Sequence, residues 1–349
     1  MAPSRIGYFP HGKRLDRPFD RRRFPSFAAS RGFEFTVVDS WDGSDVVVLS
    51  PAADLTYWVG APADIRIVYD LPDAYLDETM GLHRVARGTA KWLAGELQRP
   101  VPSYRRLLQK MLRRADAVVC STVEQREALE VYSENVHPVL DLLHEVPELD
   151  PARTPTSSLE VLWEGLPATM SSIRGVLPAL RQIQEGRSVV LHLVTDLVSP
   201  RYANRFRPVR TVDVVRDWGI PVEVHQWSLD ALAEVAARCS VAIVPVDTGD
   251  ALAMGKTENR VRIHWKLGLP VLASASSSNI RAAILAGVAD EMICHDVEGW
   301  STALRRVIED PGFGPRLVAE GRRALVSHYS DESMLVRWDQ VMASVGVSR

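Results

Sequence analysis

Two runs of short apolar segments, each alternating with stretches of helical periodicity, flank a polar, proline-rich stretch, Asp150-Pro151-Ala152-Arg153-Thr154-Pro155-Thr156-Ser157-Ser158. Strand-length apolar runs that alternate with helices argue for parallel sheets, because parallel neighbours need a crossover that a helix normally supplies. In the first run, strands are expected over 5–8, 35–38, 46–49, 65–69, 117–120 and 136–138. In the second they are expected over 159–163, 189–194, 222–225, 241–245, 271–273 and 292–294. Helices are expected over 21–30, capped by Gly32, over 228–238, and over 331–345, where Met334, Leu335, Trp338, Val341 and Met342 recur at helical spacing. At 349 residues the chain is long for one hydrophobic core and suited to two. The pattern predicts two doubly wound, Rossmann-like α/β domains, 1–150 and 151–330, with 331–349 as a C-terminal helix.

Charge is balanced, with a net of −3, which gives no global electrostatic case for a nucleic-acid partner. The isolated cysteines Cys120, Cys239 and Cys294 form no CxxC pair and no even framework of disulfides, which fits a reducing, cytoplasmic setting. No apolar run approaches the ~20 residues that span a bilayer. The stretch 103–114 is basic and amphipathic, with Leu107, Leu108, Met111 and Leu112 on one face. Such a helix can lie on an anionic membrane, which would place the chain at the inner face of the membrane as a peripheral contact. It directly precedes a strand, however, and a helix feeding a parallel strand normally buries its apolar face on the sheet, which is the favoured reading.

The densest chemistry lies in Lys256-Thr257-Glu258-Asn259-Arg260, which follows the strand 241–245 across a polar loop and opens a helix that Gly268 stops. A helix start presents unpaired N–H groups and the positive end of the dipole, and added cations make it an anion site. Lys256, then Asn259-Arg260, then Gly268-Leu269-Pro270-Val271 resembles the donor-binding segment of retaining GT-B glycosyltransferases, the glycosyltransferase family 4 group. That resemblance implies a cleft between the two domains, lined by the carboxyl ends of the strands, and a C-terminal helix that crosses back to the first domain. It also implies that Lys256, with Asn259 and Arg260, contacts the donor phosphates. The family usually has a Glu four residues after the Asn, and this chain has Ile263 there, with Glu258 nearby but out of register.

The same resemblance places further residues on the donor. Gly165, in the turn Trp163-Glu164-Gly165, would approach the phosphates, with a helix start near Ser171 or Ser172 adding N–H groups. A plain βα turn explains Gly165 as well. Trp227 would stack on the nucleobase or simply pack in the core, and Ser228 reads as an N-cap. On the acceptor side, Asp70 and Asp73 close the strand 65–69, where the family commonly has a polar catalytic residue; the alternative is an Asp-Pro turn. His11, Gly12 and Lys13 form the loop after the first strand, where donor or acceptor contacts are usual.

The resemblance therefore implies a glycosyltransferase that moves a sugar from a nucleoside diphosphate sugar to an unknown acceptor, a glycan, a lipid-linked molecule or a natural product. No cofactor is expected beyond that co-substrate, and no metal, because protein cations and helix ends would do the work a divalent ion does elsewhere; separately, the histidines show no ligand spacing along the chain. No P-loop, GxGxxG or serine elbow is present. The alternatives are a GT-B sugar-nucleotide epimerase and a catalytically weak nucleotide- or partner-binding protein. The sugar, the base, the acceptor and the oligomeric state are not legible.

Overall fold

The computed structural model describes residues 4–72, 97–151, 157–201 and 204–348. They form two compact units: Met1–Leu143 with Gly255–Thr257 and Asp331–Arg349, and His144–Met254 with Glu258–Ser330. The contact boundary thus falls after Leu143, ahead of the proline-rich stretch.

The first unit holds strands β1 (Ile6–Phe9), β2 (Thr36–Val37), β3 (Val46–Leu49), β4 (Arg66–Asp70), β5 (Ala117–Cys120) and β6 (Val136–Pro138). They make one parallel sheet in the order β2-β1-β3-β4-β5-β6. β3 and β5 are apolar and buried at every position, as strands covered on both faces must be. The basic helix Tyr104–Arg114 sits against this sheet with Leu107, Leu108, Met111 and Leu112 in the core. Its apolar stripe is thus committed to packing and is not a membrane-facing surface.

The single helix expected over 21–30 is two helices, Pro18–Arg22 and Phe24–Arg31, broken at Arg23. Each has a proline in its first turn, where the missing N–H costs nothing, so the sequence carries two helix starts where one was read. Gly32, at φ 73°, closes the second as expected. The last helix, Asp331–Ser344, belongs to this unit. Its Trp338 stacks on Phe27 at 5.7 Å and meets Phe24 edge-on at 6.0 Å. Arg31 pairs with both Glu332 and Asp339, and the Asp331 carboxylate accepts from the Leu143 amide at 2.7 Å.

The second unit holds β7 (Ser158–Glu164), β8 (Ser188–Thr195), β9 (Val198–Arg201), β10 (Asn204–Arg210), β11 (Val222–Gln226), β12 (Val241–Val244), β13 (Val271–Ser274) and β14 (Ile293–Cys294). Six of them form a parallel sheet in the order β11-β8-β7-β12-β13-β14. β9 and β10 form a separate antiparallel hairpin that the periodicity did not announce, because its residues are arginine-rich rather than apolar. The helix expected from Ser171 or Ser172 is a 3₁₀ helix, Pro167–Gly175, that starts earlier, at a proline. Helix Leu229–Ala236 follows the expectation, with the Ser228 hydroxyl accepting from the Ala231 amide at 3.0 Å. Gly268 ends helix Asn259–Lys266 at φ 73°, with a Cβ position only 2.4 Å from the Asp150 carbonyl oxygen, so glycine is required there on two counts.

Candidate functional site

Three loops meet at the carboxyl end of β7 in the second unit, and Glu164 joins them. Its carboxylate Oε1 accepts from the Trp227 indole N–H at 2.9 Å, and its carbonyl accepts from Arg260 at 3.3 Å. Trp227, one residue beyond β11, is anchored by its own amide to the Thr195 carbonyl at 2.9 Å. Arg260 stands in the first turn of helix Asn259–Lys266. Burial lowers the Arg260 guanidinium from its ordinary value, and Glu164 opposes the shift. Gly165 is needed for packing as well as for approach: a Cβ there would lie 2.8 Å from the ring of the buried Trp163. The strand ends of an open parallel sheet are where such folds bind ligands, and this cluster sets a cation, an aromatic face and a carboxylate there. Glu164 is the residue the sequence reading passed over, since a single acid at a strand end carries no pattern of its own.

The segment 256–260 divides by role. Gly255, just before Lys256, belongs to the first unit, where the Gln125 amide donates to its carbonyl at 3.3 Å and to that of Pro72 at 2.9 Å. Gln125 is itself fixed by a capping box with Thr122. Lys256 is half-buried in the loop ahead of the helix. Glu258 does not present a carboxylate for a ligand: it is buried, paired with Arg281 at 3.0 Å and accepting from the Tyr329 hydroxyl at 3.2 Å. The Asn259 side-chain oxygen accepts from Arg262 at 2.8 Å, so this amide braces the helix start. Ile263 is buried in the core. One turn after Arg260, His264 is wholly buried with both ring nitrogens lacking a hydrogen-bond partner among the described residues. Burial first, then the field of Arg260, pushes its imidazole down to about 3.

In the first unit, Asp70 is placed differently from the expectation. It is 1% exposed at the end of β4, and both its oxygens accept from Arg23, at 2.7 Å each. Arg23 also donates to the Val139 carbonyl at 3.0 Å and to Asp141 at 3.1 Å. Burial raises the Asp70 carboxyl above its ordinary value while Arg23 pulls the other way. A carboxylate 1% exposed and held by a bidentate pair offers no accessible oxygen to an acceptor, so Asp70 acts here as a structural residue. Asp73 lies outside the described residues. The His11 and Gly12 amides donate to the buried Asp20 carboxylate at 2.8 and 2.9 Å, which also accepts from the Tyr8 hydroxyl at 2.7 Å. Asp20 thereby sets the shape of the loop after β1, with the His11 and Lys13 side chains exposed.

The histidines show no ligand spacing along the chain, yet strand pairing assembles a group the sequence hides. β8 aligns His192 with Glu223 of β11, and Val194 with His225, so the polar side chains of both strands share one face. One candidate ligand atom from each of His192, Glu223 and His225 lies within 4.8 Å of the other two.

No family model matches the sequence, and no curated protein sequence matches it. Solved structures do match: the fold is the two-unit α/β fold of GT-B glycosyltransferases. HepE from Anabaena, solved in complex with UDP and glucose, aligns with a TM-score of 0.62 at 11% identity over 98% of this chain and 100% of HepE. WaaG, a glycosyltransferase involved in lipopolysaccharide biosynthesis, gives 0.56 at 12% identity over 96% of this chain and 99% of WaaG. TarM gives 0.59 at 8% identity over 88% of this chain, which spans only 56% of TarM. At such identities the likeness establishes the fold. Among the described residues, no helix is long and apolar enough to cross a membrane.

Proposed function

We propose that this chain is a cytoplasmic glycosyltransferase that moves a sugar from a nucleoside diphosphate sugar to an acceptor hydroxyl or amine, with retention and without a metal at the diphosphate. The observation that carries this reading is Arg260, in the first turn of its helix and bonded to the strand-end residue Glu164. A departing diphosphate gains negative charge as the glycosidic bond breaks. A preorganised guanidinium, a helix start and Lys256 would stabilise that charge more in the transition state than in the ground state. Trp227, whose indole nitrogen is fixed by Glu164, would offer its ring to the nucleobase. Gly165 would let the turn approach the phosphates. With Asp70 committed to Arg23, the acceptor-side role falls to Asp73 and to the His11–Lys13 loop. The donor assigned is a UDP-sugar, by analogy with the UDP held by HepE, and the acceptor is a glycan.

The test is binding and slow hydrolysis across a panel of nucleotide sugars, with the native chain, Lys256→Ala and Arg260→Ala. Selective use of one donor, lost in both variants, supports the reading. Turnover unchanged in both variants overturns the phosphate site.

A second reading has one observation in its favour, the withdrawal of Asp70 into an ion pair. It is a GT-B protein that binds a nucleotide sugar without transferring it. Donor binding with no product across a broad acceptor panel would separate it from the first.

A further inference from the structure

At the β8–β11 edge of the second sheet, two histidines and two glutamates share one face. Glu160 of β7 accepts from His192 Nε2 at 2.7 Å and from the Ser158 hydroxyl through its other oxygen. With Nε2 turned to Glu160, His192 Nδ1 is the ring nitrogen that faces β11. That atom lies 3.2 Å from His225 Nε2 and 3.3 Å from Glu223 Oε2, and the last two are 3.7 Å apart. Each of these three atoms can serve as a metal ligand, and they converge on one point. A proton on His225 Nε2 can serve one of the other two in a linear bond, but not both. A single cation serves all three.

The distances fit that role. Tetrahedral zinc with ligands at about 2.0–2.1 Å sets its donor atoms about 3.3 Å apart. The Glu160–His192 contact is the carboxylate–imidazole arrangement that orients a metal-bound histidine and raises its basicity. The chemistry is that of a borderline ion, two imidazoles and a carboxylate. Access is open, since the Glu223 side chain is 54% exposed while that of His192 is 4% exposed. Arg238 is the cation whose field opposes a metal here, set against the carboxylates Glu160 and Glu223; the buried thiol of Cys239 feels the same three charges.

We propose that His192, His225 and Glu223 bind one zinc-class divalent ion, with water completing the shell and Glu160 orienting His192. The ion would staple the edge strand β11 to β8. This site is separate from the donor chemistry proposed above and does not depend on it.

The test uses the untagged full chain, stripped of metal and titrated with Zn²⁺ against a chromogenic chelator, and with Co²⁺ while visible absorption is recorded. The expected result is one ion per chain, the intense Co²⁺ bands of a four-coordinate site, and a Tm that rises with Zn²⁺. His225→Ala and Glu223→Gln should each abolish the Co²⁺ bands and the rise in Tm. Both positions are solvent-accessible, so both variants should fold, which unchanged circular dichroism would verify. Glu160→Gln, which leaves all three ligands in place, should weaken Zn²⁺ binding by about 10–100-fold. The absence of Co²⁺ bands in the native chain overturns the proposal. So does binding that survives in both His225→Ala and Glu223→Gln, or a His192 ring that nitrogen NMR finds doubly protonated at pH 7 and indifferent to Zn²⁺.

Discussion

The Trp227 indole N–H donates to the Glu164 carboxylate at 2.9 Å, linking the loop after β11 to the end of β7 across 63 residues of chain. A hydrogen bond to a charged acceptor contributes more than a neutral one, about 1.5–3 kcal/mol, and partial exposure reduces that. Trp227→Phe should therefore cost about 1 kcal/mol in urea unfolding and should raise the donor KM more than it lowers kcat. An unchanged KM would detach Trp227 from donor binding.

On the proposed reading, Arg260→Ala should lower kcat far more than it raises KM, because its charge would be needed as the diphosphate departs. Removing a group that stabilises developing charge typically costs about 10²–10³-fold in rate. Single-turnover rates at saturating donor would measure this. A pure KM effect would mean that Arg260 only holds the ground state.

Arg23 and Asp70 form a wholly buried pair, so removing one partner strands the other. Asp70→Ala should destabilise the chain by about 3–5 kcal/mol. Pairing it with Arg23→Met should recover much of the loss, since no buried charge then remains. Urea unfolding of both singles and the double variant forms the cycle, and strict additivity would show that the pair is not coupled.

His264 gives the chain an acid sensitivity. Its imidazole drops from an ordinary 6.5 to about 3 in the folded state, through burial and Arg260. Between those values the unfolded chain holds a proton that the folded chain does not. Stability from this group is complete above about pH 6.5 and is lost as pH falls toward 3, by up to about 1.4 kcal/mol per pH unit. His264→Leu should flatten that slope between pH 6 and 4. Parallel slopes for native and variant proteins in urea titrations would show that His264 is not held neutral.

Gly268→Ala forces a side chain onto a residue at φ 73° and a Cβ to within 2.4 Å of the Asp150 carbonyl oxygen. Strain of the left-handed backbone alone is of order 1–3 kcal/mol, and the clash is with main chain that must move. A loss of about 2 kcal/mol or more is expected, read as a lower urea midpoint. A loss under about 0.5 kcal/mol would mean that the preceding loop shifts freely.

The central strands were readable as short apolar runs, since a strand buried on both faces, such as β3 or β12, has no other composition open to it. The break at Arg23 was not: Pro25, inside the expected helix, belongs to the first turn of a second helix, and Pro18 opens another ahead of it. The hairpin of β9 and β10 escaped because it lacks apolar alternation. At the candidate site, Arg260 and Gly165 stood out through their positions at a helix start and a strand end. Glu258 and Asp70 were given to ligands because a sequence displays charge without its partners; Arg281, Tyr329 and Arg23 claim them only in three dimensions.

By itself, the sequence determined what depends on near neighbours: strand and helix periods, the glycine stop at Gly268, the Ser228 cap and the α/β class. The tertiary structure decided which charges face ligands and which neutralise one another, because ion pairs join residues as far apart as Arg23 and Asp70. It also gathered His192, Glu223 and His225, which are 31 and 33 positions from the first to the others along the chain, into one constellation. Parallel pairing fixes that register through backbone hydrogen bonds, and no spacing rule along a single chain encodes it.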